Sequence, residues 1–400
     1  MEENAVDLGK IKDAELIRTR EFGKFGSWVL YIVGAVCSLF HLYCLLISPI
    51  DPWYFRGMHI VFLAFMCFLL YPGWEGARKK VHPVDYILIL MVIIPFIYMV
   101  INFDEWIYRV GVVPTTWDTI ISLMFIIAML EMTRRTTGTA LMIIAIIFIL
   151  YGYFGRYLPG LFYHKGYSWP RIFTYLFSLD GILGLPIFVS AAYVYIFVIF
   201  GAFLRSSGVG AYFIQFANSI VGWARGGPAK VAIISSSLFG TVSGSSAANV
   251  VGTGSFTIPM MKSMGYKAHF AGAVEAVAST GGQIMPPVMG AGAFLMAEIL
   301  GIPYVKVLVA AILPAAMYYL AVYFMVDFEA AKTGLVGLPK DQLPSKKETL
   351  KRIYMFAPLG VLVYYIAIAM ASIIKAGTLA VAACVIVSWT SKETRMGLKK

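Results

Sequence analysis

The chain is predicted to be an all-α protein that crosses a membrane many times, with a re-entrant helical hairpin and one broken spanning helix near its middle. Three observations carry this. Of its 400 residues 60% are hydrophobic and 13% charged, with a mean hydropathy of +0.79, whereas a soluble domain carries about a quarter charged residues. Apolar runs of spanning length recur, each bounded by charge, Pro/Gly or an amphipathic aromatic. Residues 235 to 290 hold two interruptions inside sequence otherwise fit for hydrocarbon: Ser243-Gly244-Ser245-Ser246 with Asn249, and Ser279-Thr280-Gly281-Gly282-Gln283 followed by Pro286 and Pro287. Non-helical backbone at membrane depth survives only where protein or a water-filled cavity satisfies its amides, so two breaks this close mark a site for a solute or an ion.

Residues 1 to 26 are polar, mixed in charge and longer than the n-region of a signal peptide, and the run 27–49 is long enough to span. No cleavable signal is expected, and the N-terminus is expected inside. Further spans are predicted at about 57–71, 84–101, 117–133, 138–156 and 181–203. Trp53, Trp74, Trp106, Trp117, Trp169 and Trp389 fall near proposed span ends, where an indole suits the interface. Cys37, Cys44, Cys67 and Cys384 have no metal spacing and read as small buried hydrophobes.

The net charge of +11 would point to nucleic acid in a soluble protein. Here it is read as inner loops obeying the positive-inside rule, and no nucleic-acid partner is expected. Most of the 32 Lys and Arg residues fall on one side if the inner set is residues 10–24, 78–80, 134–135, 205–267, the linker 328–352 and the tail after 390. That bias holds only if 229–261 is a hairpin with both ends inside and 268–299 crosses once. Each hairpin arm, 229–243 and 246–261, has ~22 Å of helix at 1.5 Å per residue, short of a ~30 Å core. Residues 268–299 are too long for one straight span, so halves at Ala268–Thr280 and Met285–Leu300 are expected, broken at Gly281-Gly282 and Pro286-Pro287. Before the hairpin, Tyr212, Phe213, Phe216, Ile220 and Trp223 recur at helical spacing opposite Gln215, Asn218 and Ser219, which predicts an amphipathic interfacial helix. After Leu300 come a span at 303–326, the linker, and spans at about 353–371 and 374–390.

The breaks supply hydroxyls, the Asn249 amide and freed carbonyls, hard oxygen ligands for a desolvated alkali cation. A half-helix starting near Ser246 offers free N–H groups and a positive dipole end, which would favour an anionic group. Small residues such as Gly252-Thr253-Gly254 would, alone, only allow close helix packing. Glu275 is the only acidic residue in the apolar segment 268–297. It is a candidate proton site, or a group behind an ion's own ligands, against the alternative of a protonated glutamate bonded to a neighbouring helix. No Ser-His-Asp set, HExxH, Walker loop or CxxC pair occurs, so no enzymatic activity and no cofactor is expected.

The run FGAFLRSSGVGAYFIQFANSIVGWARGGPAKVAIISSSLFGTVSGSSAANV, followed by TIPMMKSMGY and GAVEAVASTGGQIMPPVMGAGAFLMAE, resembles the large membrane subunit of tripartite ATP-independent periplasmic (TRAP) transporters. The wording ASTGGQIMPPVMGA and the N-terminal four-helix region resemble the branch that works with TAXI-type binding proteins and has a fused small subunit. On this resemblance, residues 1–133 correspond to the small subunit and 134–400 to the large one. The resemblance implies an elevator-type secondary transporter of a bacterial or archaeal inner membrane, usually sodium-driven. It would take organic acids such as C4-dicarboxylates or glutamate from a periplasmic TAXI-type binding protein. By family pattern, Ser245, Ser246, Thr280 and Gly281 would hold sodium, the alternative coupling ion being a proton, and Ser243, Gly244, Ser246, Asn249 and Gln283 would face the substrate. The family carries a second, inverted repeat, and nothing after residue 300 repeats the SGSS or STGGQ pattern. A missing C-terminal half is therefore expected as a partner, and a non-transporting scaffold, or half of a split transporter, is the alternative reading. A passive channel has too few polar positions outside 235–290.

Overall fold

The computed structural model describes residues 19–78, 80–339, 341, 343–390 and 394–397. The expectations for residues 1–18, and for the basic residues at 79, 340, 392, 399 and 400, lie outside these. Every described element is helical, and seven helices are long and apolar enough to cross a membrane. The contacts divide the chain into two compact units, Met1–Ala191 and Ala192–Lys400.

The first unit contains α1 (Lys24–Leu46), α2 (Pro52–Leu70), α3 (Pro83–Ile101), α4 (Phe103–Arg109), α5 (Thr116–Thr137), α6 (Thr139–Phe154) and α7 (Trp169–Leu176). The start signals are local. Asp51 accepts from Trp53 N at 2.8 Å with Pro52 at the first helical position, so α2 begins five residues before the expected 57. His82 with Asp85, and Thr115 with Asp118, form capping boxes at the starts of α3 and α5. Phe68, Val92, Met99, Phe125 and Ala128 build the core, and Trp106 belongs to it. The interfacial expectation for Trp106 is corrected: α4 is a short helix of seven residues that exposes Asp104, Glu105 and Tyr108 and turns the indole inward. There it packs edge-on against Phe177 and Tyr98.

Buried charges in this unit are paired, as the cost of an isolated charge requires. Asp85 accepts from Arg20 at 2.7 Å and Arg135 at 2.6 Å, all three side chains nearly inaccessible. Arg20 also donates to the carbonyls of Phe68, Leu69 and Ala77, which fastens the segment before α1 to the end of α2. His41 and His59 join α1 to α2 through a 2.8 Å ring-to-ring bond. His41 Nδ1 faces the Cys37 carbonyl, which can only accept, so as neutral rings His59 Nδ1 donates to His41 Nε2. His59 Nε2 is left to accept from Ser190 Oγ at 3.1 Å. All four cysteines are buried and none is in a disulfide among the described residues.

The chain passes into the second unit within α8 (Leu185–Ser206), which carries a π turn at Ser190–Val194. Then follow α9 (Val209–Val221), α10 (Gly227–Ser243), α11 (Ser246–Ser263), α12 (Ala268–Gly281), α13 (Ala291–Leu300), α14 (Tyr304–Thr333), α15 (Lys346–Lys351), an interrupted helix α16 (Ile353–Ile368) and α17 (Ile373–Ser388). The buried residues of α9 are Val209, Tyr212, Phe213, Ala217 and Ser219, while Ile220 and Trp223 are exposed. The expected faces are thus rotated, because α9 packs on α10 and its Ser219 hydroxyl is satisfied by Phe216 O. α10 and α11 form an antiparallel hairpin. The broken helix has its halves at α12 and α13, and the expected start at Met285 is corrected to Ala291. Pro286 and Pro287, joined by a cis peptide, have no N–H to give a helical ladder. α14 runs 30 residues, so the linker begins after Thr333 instead of at 328. Near the end of α14, Asp327 accepts from Arg225 and, at 2.6 Å, from Lys230, holding the base of the hairpin.

Candidate functional site

The hairpin turns at Gly244, whose φ is +59°. A Cβ there would meet Met289 O at 2.4 Å, so the turn and the approach of the break both require glycine. Ser245 then caps α11 by accepting from Ala248 N. The two interruptions lie against each other. A Cβ on Gly240 would come within 2.6 Å of Gly282 Cα, and one on Gly282 within 2.5 Å of Gly240 Cα, so the backbones touch. Val288 N donates to Thr241 O at 3.1 Å, Gln283 Nε2 to Ser246 Oγ at 3.1 Å, and Gly290 N closes the break by donating to Gln283 O at 2.7 Å.

Beside this contact is a cavity of about 870 Å³, within the ~300–1,000 Å³ range of ligand sites. Ser243, Gly244, Ser245 and Gln283 form its polar part. Phe197, Ile284, Met289, Phe294, Val307 and Pro314 are among its apolar walls, and among the described residues no charged side chain lines it. Ser246, Asn249, Thr280 and Gly281, all singled out in the sequence, are not on the wall. Ser246 stands behind it, bonded to Gln283. Asn249 is fully buried and donates to Ser236 O at 2.8 Å, pinning α11 to α10. Thr280 is exposed, with its hydroxyl hydrogen given to Ala276 O at 2.7 Å. Gly281 faces α14, where a Cβ would strike the Tyr318 and Tyr319 rings at 2.4 and 2.8 Å.

Glu275 is completely buried among hydroxyls. Its Oε1 accepts from Ser236 Oγ at 2.7 Å, Ser279 Oγ at 3.0 Å and Thr253 Oγ1, and its Oε2 from Thr257 Oγ1. The carboxyl thereby joins both arms of the hairpin to α12. Ser236, Thr253 and Thr257 escape a reading from sequence because single hydroxyls in apolar helices carry no spacing signal.

Three tyrosines of α14 also bond to this region and also escape the sequence reading. A helix that ends in an apolar interior leaves carbonyls unbonded. Tyr318 Oη donates to Val277 O at 2.7 Å and Tyr319 Oη to Ala278 O at 3.0 Å, in the last turn of α12. Tyr304 Oη donates to the carbonyls of Pro287 and Val288 in the break. The adjacent tyrosines inside an otherwise apolar span were the available signal.

Comparison with known proteins agrees with this architecture. Residues 123–400 match the model of the tripartite ATP-independent periplasmic transporter DctM component. A C4-dicarboxylate TRAP transporter large permease protein of Vibrio cholerae is 32% identical over 157 residues, 39% of this chain and 33% of that one. A sialic acid TRAP transporter large permease protein of the same organism is 28% identical over 159 residues, 40% and 37% of the two chains. An isethionate TRAP transporter permease protein of Oleidesulfovibrio alaskensis is 32% identical over 112 residues, 28% of this chain and 16% of that one. The alignments thus span about a third or less of these relatives' lengths. The chain is a multi-pass membrane protein, and it belongs to the DctM component family of tripartite ATP-independent periplasmic transporters.

Proposed function

We propose that this chain is the permease component of a sodium-coupled secondary transporter in a bacterial or archaeal inner membrane, its N-terminus cytoplasmic. It receives organic acids, such as C4-dicarboxylates or glutamate, from a periplasmic binding protein of the TAXI type. Residues 1–133 act as a fused small subunit and 134–400 as the transport part, which moves its site across the membrane as an elevator. The observation that carries this reading is the backbone contact of Gly240 with Gly282 beside an 870 Å³ cavity, since it puts the hairpin tip and the helix break on one site. The relatives named above transport anions by name, which supports an acidic substrate.

In this reading Ser243, Gly244 and Gln283 meet the substrate, with Ser246 and Asn249 holding them from behind. With no basic side chain on the wall, a carboxylate is met by hydroxyls, by the N-terminus of α11 and by the ion. Sodium, the transported ion, takes oxygens from Ser245, Ser246, Thr280 and the backbone near Gly281. Thr280 keeps lone pairs for an ion while its hydrogen is held by Ala276 O.

Sodium titrations of uptake test this, in cells carrying the chain, its binding protein and any companion membrane subunit. Ser246→Ala and Thr280→Ala are each expected to weaken apparent sodium affinity about five-fold, the loss of one ligand worth ~1 kcal/mol. The double variant should lose less than the sum, as residues sharing one ion do. Unchanged sodium dependence in both single variants would place the ion elsewhere. Orientation has its own check: a cysteine at Lys262 is expected to resist an impermeant thiol reagent applied from outside, and labelling there overturns the topology.

A further inference from the structure

The first unit holds a second cavity, an open groove of about 800 Å³ lined by α2, α5, α6, α7 and the start of α8. Its α6 wall is Ala145, Phe148, Ile149 and Gly152, a stripe at i, i+3, i+4 and i+7 that faces the cavity along ~10 Å of helix. No residue of α6 is buried, and along that stripe Ala145, Ile149 and Gly152 are only partly covered while Phe148 is exposed. The lining is apolar except for Thr133, Tyr167, Tyr175 and Arg171. Arg171 is its one charge. The guanidinium lies over the Tyr167 ring at 5.2 Å and has no acidic partner among the described residues. Gly152 fixes the level of that end: its carbonyl accepts from Tyr167 N at 3.0 Å, and a Cβ on it would rest on Ile172 at 3.4 Å.

An apolar gap of this size beside a membrane helix offers water too few partners to hold it. An acyl chain already in the bilayer gains nothing by transfer from water on entering the gap, but it supplies the van der Waals contacts that the empty space lacks. A lone arginine at the end of the gap supplies bidentate donors that match a phosphate. We propose that this groove is a binding site for one glycerophospholipid, its phosphate on Arg171 and one acyl chain laid along the α6 stripe toward Thr133. The lipid takes the place of a packed side-chain layer and seats α6.

Native mass spectrometry of the full chain, purified in mild detergent and titrated with dioleoylphosphatidylglycerol, tests this. The unaltered chain is expected to carry one phospholipid that survives detergent exchange. Arg171→Gln, an exposed substitution, should weaken phospholipid binding about ten-fold. Ala145→Phe with Gly152→Leu, which fills the groove from α6, should abolish it. Where the filled variant does not fold, Arg171→Gln alone decides. Equal binding of dioleoylglycerol and the phospholipid overturns the phosphate contact, as does Arg171→Gln binding at full strength. A folded filled variant that keeps its lipid overturns the location. A second polypeptide retained by the unaltered chain and lost from the filled variant, with lipid content unchanged, makes the groove a protein seat and overturns the proposal.

Discussion

Gly240→Val is expected to remove most of the folded chain, while Gly272→Val, on the helix that Gly240 packs near, should be almost silent. Gly240 is buried, and a Cβ on it would press on Gly282 Cα at 2.6 Å and on Asn249 Nδ2 at 3.0 Å. Overpacking a core where side chains can yield costs about 1–3 kcal/mol. Here the obstacle is backbone, held by the Val288–Thr241 bond on one side and by Asn249 on Ser236 O on the other. Neither can retreat without breaking a buried hydrogen bond, so a cost at or above ~3 kcal/mol is expected. Nothing lies within 4 Å of a Cβ on Gly272, and the helix-propensity difference between Gly and Val is only about 0.5 kcal/mol. Thermal unfolding of the detergent-solubilised chain separates the two. At roughly 2–4 °C per kcal/mol, Gly240→Val should melt at least about 6 °C below the parent, or fail to accumulate. A melting point equal to that of Gly272→Val would mean that the hairpin and the break separate freely.

What made the architecture legible was punctuation. Glycine, hydroxyls and paired prolines interrupt apolar sequence at 243–246 and 279–287, and few other structures tolerate that. Rotation about a helix axis was not legible. Ser279 and Thr280 are neighbours in one motif, about 100° apart on a helix of 3.6 residues per turn. The first turns in to Glu275, and the second turns out and bonds its own backbone. Asn249 follows the tip directly, yet it points at the opposite arm, away from the cavity. Composition reports depth in the membrane and cannot report which side of a buried helix meets which neighbour. Trp106 illustrates the same limit at a span end, where an indole fits either interface or core, and only the turn of α4 decides. The tyrosines at 304, 318 and 319 were hidden for a further reason. Their bonds exist only because the end of α12 and the break lie beside them, 16 to 41 residues away in sequence.

Glu275 should separate a fastening role from a coupling role. Four hydroxyls on three helices converge on its carboxyl, and a hydrogen bond contributes about 0.5–1.5 kcal/mol net, with more lost when a buried partner is left unsatisfied. Glu275→Ala removes their common acceptor and leaves a void between hairpin and α12. Thr253 can fall back on Asn249 O at 2.9 Å and Thr257 on Thr253 O at 3.1 Å. The loss is therefore softened, to about 3–5 kcal/mol. Glu275→Gln is different. It keeps the volume, and serine and threonine hydroxyls can accept as well as donate, so they can turn to meet an amide. A cost of about 1 kcal/mol is expected. Melting should thus rank Gln close to the parent and Ala far below. Transport then decides the remaining question, because an amide carries no titratable proton. If sodium drives uptake and Glu275 only binds the hairpin to α12, Glu275→Gln transports with an unaltered sodium titration. If Glu275 carries a coupled proton, Glu275→Gln loses uptake driven by an imposed pH gradient while its melting point stays near the parent's. Uptake that still follows that gradient in Glu275→Gln removes the proton role, and a Gln variant as unstable as Ala removes the argument that the hydroxyls can reorient.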